Sequence, residues 1–186
     1  MLPPIVAGLR DRHPGLTVEL ALTNRVQDLL RREADIAVRM VRPSQELLVA
    51  RRIGRIEVAM FATPRYLERH GTPRVPADLD RHALIGFDRI TPFLRGASKA
   101  LGGIDREMFA LRSDSDLAQL ALLRAGAGLC MCQVPLARQA GLVRVLPRYL
   151  SLHLETWVTM HEDLRSSPRC RATFDALVAG LQRYVG

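Results

Sequence analysis

Apolar positions recur along this chain at two different periods, and the switches between them mark its elements. Residues 2–12 read as a helix, with Pro3 and Pro4 tolerated in its first turn and His13-Pro14-Gly15 closing it. Leu16, Val18, Leu20 and Leu22 then alternate with Thr17, Glu19 and Ala21, which predicts a strand over 16–22. Thr23 and Asn24 offer a helix cap, and Val26, Leu29 and Leu30 form the apolar side of a helix over 25–33. Short apolar runs predict strands over 35–40, 47–53 and 56–62. Short helices and turns follow from Pro64 to Leu79, punctuated by Gly71, Pro73 and Pro76.

Ala83–Phe87 restarts a sheet, and 88–106 reads as a loop with short strands. Glu107–Arg112 is a predicted strand. Ser113-Asp114-Ser115-Asp116 caps an amphipathic helix over 116–125, and Gly126 and Gly128 end it before a strand at Leu129–Cys132. A helix over 134–140, strands over 142–146 and 156–160, and a helix over 168–184 with Phe174, Leu177, Val178 and Leu181 on one stripe complete the chain. Strand–helix–strand alternation predicts parallel strands and an α/β class. Two α/β blocks emerge, the second inserted into the first. The first lobe is expected over 1–63 plus 154–186 and the second over 64–153, with chain crossings near Thr63 and His153. Such hinged lobes capture small molecules by closing over them.

Composition narrows the function. The 186 residues are enough for one large or two small domains. The net charge is +8, and every basic residue except Lys99 is arginine. These arginines are scattered and often sit beside acids, as in Arg10-Asp11-Arg12, and no aromatics interleave with them. A solvated surface fits better than a nucleic-acid footprint. No apolar run approaches the ~20 residues a membrane helix needs. Met1-Leu2-Pro3-Pro4 lacks a basic region followed by an apolar run, so a cytoplasmic location is expected. Cys130 and Cys132 share a strand face, but Cys-x-Cys lacks zinc spacing and no His lies within ten residues. They read as small residues packing under a helix, and no metal or cofactor is expected.

Catalytic signatures fail in turn. There is no Gly-x-Ser-x-Gly elbow. His161-Glu162 lacks a second His four residues on, and Gly126-x-Gly128 follows a helix and lacks its third glycine.

Several stretches in order resemble one family. They are Asp35-Ile36-Ala37-Val38-Arg39, Val49-Ala50-Arg51-Arg52-Ile53, Arg65–Pro73, Ala125-Gly126-Ala127-Gly128-Leu129 and Gly141–Pro147. Together they resemble the effector-binding domain of LysR-type transcriptional regulators over nearly the whole chain. The resemblance implies a two-lobed, type 2 periplasmic-binding-protein-like α/β fold with a cleft between the lobes. It implies a non-enzymatic sensor of a small organic effector, a carboxylate or aromatic acid. It also implies a homodimer whose candidate surfaces are the helices over 2–12 and 116–125. DNA would be reached only through a helix-turn-helix that this chain lacks. Relative to the family pattern, the chain begins at the helix after a first strand and a polar, pocket-forming loop. The alternatives are a hydrolase or lyase, or a solute-binding protein, on the same fold.

The expected effector contacts follow from strand ends, where such sheets bind ligands. Thr23 and Asn24 combine a hydroxyl with free backbone N–H groups suited to an anion, though both are also simple caps. Arg39 and Arg42 follow the 35–38 strand and could fork a carboxylate, set against ordinary surface arginines. Ala62 and Thr63 line the cleft or form the hinge. Phe87 walls an apolar pocket or packs in the core. Ser113 and Asp114 open the 116–125 helix, where the acids already answer the helix dipole and disfavour a strongly anionic ligand.

Overall fold

The computed structural model of the protein describes residues 1–23, 29, 32–43, 47–100 and 102–185. Its elements run α1 (Leu2–Arg12), β1 (Ile36–Arg39), β2 (Leu48–Ala62), α2 (Pro64–His70), β3 (Leu84–Gly86), α3 (Pro92–Ala100), β4 (Phe109–Arg112), α4 (Asp116–Arg124), β5 (Leu129–Gln133), α5 (Val134–Gln139), β6 (Val143–Arg144), β7 (Ser151–His161) and α6 (Pro168–Val185). Short 3-10 turns cover Pro76–Arg81, Arg106–Met108 and Glu162–Ser166. The chain forms two compact units, Met1–Ile56 with Leu154–Gly186, and Glu57–His153. Two long strands, β2 and β7, carry it from one unit to the other.

In the first unit β1 pairs antiparallel with β7, Ile36 opposite Met160 and Arg39 opposite Trp157. The buried Thr159 hydroxyl donates to the Ala37 carbonyl at 3.2 Å and reinforces that pair. The apolar stripe of α6, Phe174, Leu177 and Leu181, packs with Val158 and Met160 and with Leu2 and Ile5 of α1. The two helices approach closely at Gly180, where an added Cβ would meet the Ile5 side chain at 2.5 Å. After α1, the Arg10 guanidinium donates to the carbonyls of Pro14 and Leu16 and holds the turn.

The second unit is a sheet with helices on both faces. β3 lies between β4 and β5 and runs parallel to both, while β2 runs antiparallel to β5 and β6. Side chains alternate strictly across this sheet. Met60, Ala62, Leu84 and Leu129 point to one core with Tyr66, Leu67 and Leu79. Ala59, Phe61, Ile85, Cys130 and Cys132 point to the other, with Leu123 of α4 and Ala137 of α5.

The structure departs from the sequence expectations at identifiable places. Residues 16–22 form no strand, and Leu20 and Leu22 are 41% and 55% exposed. Alternation makes a segment compatible with a sheet, but a strand exists only where a neighbour completes its ladder. The strands expected at 47–53 and 56–62 are one continuous strand of 15 residues. The unit division falls after Ile56, whereas the expected first lobe ran to residue 63, because Val58–Ala62 pair with β5 and β6. Parallel pairing joins β3 to β4 and β5, whereas the pairs β1–β7, β2–β5 and β2–β6 are antiparallel. Within 88–106, read as loop, α3 forms behind Thr91, whose hydroxyl accepts the Leu94 N–H at 3.2 Å. Most of the helix expected over 25–33 lies outside the described residues.

The α1–α6 approach yields a stability test. Gly180→Val places branched carbon where Ile5 already sits, so it should lower unfolding free energy by about 1–3 kcal/mol in urea melts. Gly8→Ala on α1, where an added Cβ meets nothing within 4 Å, should not.

Candidate functional site

The second unit gathers polar groups at one end of its sheet. β3 and β4 are parallel, so their carboxyl ends, Gly86 and Arg112, lie side by side. Phe87 and Asp88 follow the first, and Ser113, Asp114 and Ser115 follow the second. The Ser113 N–H donates to the Gly86 carbonyl at 2.9 Å and ties the two exits together. The Asp114 carboxylate accepts the backbone N–H groups of Asp88 and Arg89 at 3.1 and 2.9 Å and pairs with the Arg89 guanidinium at 3.4 Å. Ser115 caps α4, its hydroxyl accepting the Ala118 N–H. Gln119, 5% exposed, donates its amide to the Ser113 carbonyl at 2.6 Å.

These bonds define what the site offers. Asp114 is committed to loop closure and charge pairing, so it acts as a brace. Arg106 is committed as well, donating to the carbonyl and carboxylate of Asp88 and to Glu107, and those bonds raise its pKa further. The half-buried Ser113 hydroxyl accepts the Ser115 N–H and keeps its own proton as a donor. Phe87, also half-buried, follows β3 as Ser113 follows β4.

Ala62 and Thr63 belong to a different place. Because β2 runs antiparallel to β5, with Phe61 opposite Cys130, the end of β2 meets the start of β5. Leu129 in turn pairs with Leu84 at the start of β3. Ala62 and Thr63 therefore sit at the opposite sheet end from Phe87, Ser113 and Asp114. Ala62 is fully buried, and Thr63 caps α2 by accepting the Tyr66 N–H at 3.2 Å. An added Cβ on Gly126, which has φ of +75°, would come within 2.9 Å of the Thr63 hydroxyl. At this sheet end Ala62 packs in the core and Thr63 caps the helix that follows.

In the first unit Arg39 closes β1, half-buried and in register with Trp157. Arg42 is exposed just beyond it, and Thr23 is exposed outside any helix or strand. Asn24 lies outside the described residues.

A further cluster in the second unit has no local sequence signal. The Glu57 carboxylate accepts the Ser151 hydroxyl at 2.8 Å and an Arg144 guanidinium N–H at 2.6 Å. The partners are 87 and 94 residues away in sequence, so no motif could announce them. The Ser151 bond and Arg144 lower the Glu57 pKa against a burial effect that raises it. A carboxylate held anionic in this way is a poor proton acceptor for a nucleophilic serine. Cys130 and Cys132 are buried, and burial pushes their pKa values up to about 12 and about 11, so both remain thiols at neutral pH. His70 and His82 flank the Tyr66 ring, and among the described residues no three metal-binding side chains converge.

Comparison with known proteins places this arrangement. The sequence model of the LysR substrate binding domain matches residues 1–182. An uncharacterized HTH-type transcriptional regulator of Haemophilus influenzae is 29% identical over 163 residues, 84% of this chain and 57% of that protein. An HTH-type transcriptional regulator of Xanthomonas campestris is 27% identical over 190 residues, 97% of this chain and 55% of that protein. The regulatory domain of CrgA, a LysR-type transcriptional regulator from Neisseria meningitidis, matches in structure with a TM-score of 0.79 at 21% identity, covering 100% of this chain and 92% of that one. The chain therefore belongs to the LysR substrate-binding domain family, with the two-lobed periplasmic-binding-protein-like fold of its structural neighbours. Both of those relatives are HTH-type transcriptional regulators. The chain spans about half the length of the curated relatives it matches, which at 57% and 55% excludes a large part of each.

The Glu57 cluster makes a pH prediction. A carboxylate whose pKa is depressed on folding stabilises the fold fully above its ordinary pKa of 4.5 and loses that contribution as pH falls through the lower folded value. Glu57→Gln should cost about 1 kcal/mol at neutral pH. The deficit should shrink in urea melts run below pH 4.5. A deficit that is constant with pH would show that the charge contributes nothing.

Proposed function

We propose that this chain is the effector-sensing part of a LysR-type transcriptional regulator and that its ligand is a small organic carboxylate, aromatic acids included. The match of the family over residues 1–182 carries the regulatory reading. The ligand class rests on Arg39, a half-buried guanidinium at a strand end in register with an aromatic ring. A guanidinium can fork two hydrogen bonds onto a carboxylate, and a half-buried position strengthens them. In this reading the Ser113 hydroxyl and the Phe87 ring supply the second unit's polar and apolar contacts. Asp114 braces their loop, and Arg42 and Thr23 contribute from the exposed side of the first unit. DNA is contacted through a helix-turn-helix domain outside this chain, in the cytoplasm. Among the described helices none is long and apolar enough to cross a membrane.

The protein's single tryptophan makes the ligand reading measurable. A saturable change in Trp157 emission is expected with a small aromatic carboxylate such as benzoate, and none with benzamide. Arg39→Ala should weaken the carboxylate about tenfold or more, the loss of a charge-assisted pair. Equal responses to acid and amide, or an unaffected variant, would remove Arg39 from the site.

We further propose a homodimer using the outer surfaces of α1 and α4. Leu117 on α4 is 61% exposed although its neighbours Leu120 and Leu122 pack against the core. Sedimentation equilibrium should show a dimer at tens of micromolar, the range of a modest apolar interface. Leu117→Asp should shift it to monomer, and a wild-type chain that stays monomeric as concentration rises would refute the pairing.

A further inference from the structure

In the second unit the Tyr66 phenol joins α2 to the start of β3. Tyr66 is 4% exposed, and its ring packs in the core with Leu67 and Leu79. Its hydroxyl oxygen accepts the Ala83 N–H at 3.0 Å, and Nδ1 of the half-buried His82 ring lies 3.3 Å away. Ala83 is held on its other side as well. Its carbonyl accepts the Leu129 N–H at 2.8 Å and leaves no room for a side chain on Gly128. A buried phenol that already accepts one N–H has its own proton to donate, and His82 Nδ1 is the acceptor within reach. That chain of bonds, from the Ala83 N–H to the Tyr66 oxygen and from the Tyr66 O–H to Nδ1, requires a neutral His82 with its proton on Nε2.

We propose that the Tyr66–His82 pair is an acid-responsive latch, closed while the His82 ring is neutral and opened when Nδ1 takes a proton from solvent. Protonation turns Nδ1 from an acceptor into a donor. Two donors, the Ala83 N–H and the Nδ1–H, then converge on the Tyr66 oxygen. The phenol proton loses its acceptor inside a buried site, which is unfavourable. The new charge is opposed most by burial of the ring, and next by His70 of α2, which stacks on Tyr66 with ring centroids 4.4 Å apart. Asp78 of the turn Pro76–Arg81 favours the charge, but its carboxylate is committed to the Arg74 and Val75 N–H groups. Residues 126–129, the segment that meets Ala83 from β5, carry no ionisable side chain. The balance lowers the His82 pKa from its ordinary 6.5. The opened or unfolded chain therefore binds the proton more readily. The latch contributes fully above pH 6.5 and is lost as pH falls through the lower folded value. The unit thus responds to acidification at the joint from which β3 sets out.

NMR of the full chain labelled with nitrogen-15 tests the latch without any substitution. Ring nitrogen shifts should show neutral His82 with its proton on Nε2, titrating below 6.5. The Ala83 amide, corrected for its intrinsic exchange rate, should lose protection several-fold between about pH 8 and about pH 5. Amides of α6 in the first unit should keep their protection over the same range, which separates a local opening from global acid unfolding. His82→Asn offers an amide oxygen that accepts the phenol proton and does not titrate. It should keep the Ala83 amide protected and remove most of the pH dependence. Tyr66→Phe deletes the shared oxygen and should leave the Ala83 amide weakly protected at both ends of the range. The proposal is overturned if His82 titrates at or above 6.5, or if its neutral ring carries the proton on Nδ1. It is equally overturned if Ala83 protection is indifferent to pH, if α6 loses protection in step with it, or if His82→Asn leaves the pH dependence intact.

Discussion

The second unit begins at Glu57, and the bonds that residue makes tie the strand entering the unit to the last two strands of the chain. Glu57 lies on β2, its partners Arg144 and Ser151 on β6 and β7. One carboxylate thus joins the strand that brings the chain into the unit to the strand that takes it out. Just beyond it, Val58 faces Gln133 and Phe61 faces Cys130. A slip of one residue would turn Ala59 and Phe61 away from α4 and present Met60 and Ala62 in their place, exchanging the two cores. The Glu57–Arg144 pair is partly screened by solvent and contributes modestly to stability, and it lies where three strands of the sheet meet.

That register decides which residues can act together. The carboxyl ends of β3 and β4 share one end of the sheet, so Phe87 and Ser113 are neighbours although they are far apart in sequence. The end of β2 lies at the other, so Ala62 and Thr63 join the packing around Tyr66 and Gly126. The same logic separates charge from function in the loop after β4. Asp114 is spent on the Asp88 and Arg89 amides, so its carboxylate braces the loop after β3.

Much of this was legible in the sequence where periodicity and turn chemistry agreed. The amphipathic stripes of α4 and α6 and the prolines and closing turn of α1 marked those helices, and Ser115 caps α4 as its segment suggests. The inserted second unit followed from a final strand and helix with no place in a finished sheet. Other features needed three dimensions. Leu16–Leu22 alternates as a strand does, yet the pairing that makes a strand is not encoded in alternation. α3 was obscured by Gly96 within it and by the polar Ser98, which weaken any local pattern. The direction of β2 relative to β5 could not be read from local order at all, and it relocated Ala62 and Thr63. Glu57, Arg144 and Ser151 were invisible because each is unremarkable in its own segment.

The proposed ligand is a carboxylate held by the Arg39 guanidinium at the end of β1. A crystal structure of the chain grown with a bound aromatic carboxylate tests this most directly. The ligand carboxylate is expected within hydrogen-bonding distance of the Arg39 guanidinium. A ligand seated beside Thr63 and Tyr66, with neither Arg39 nor Ser113 in contact, would contradict it.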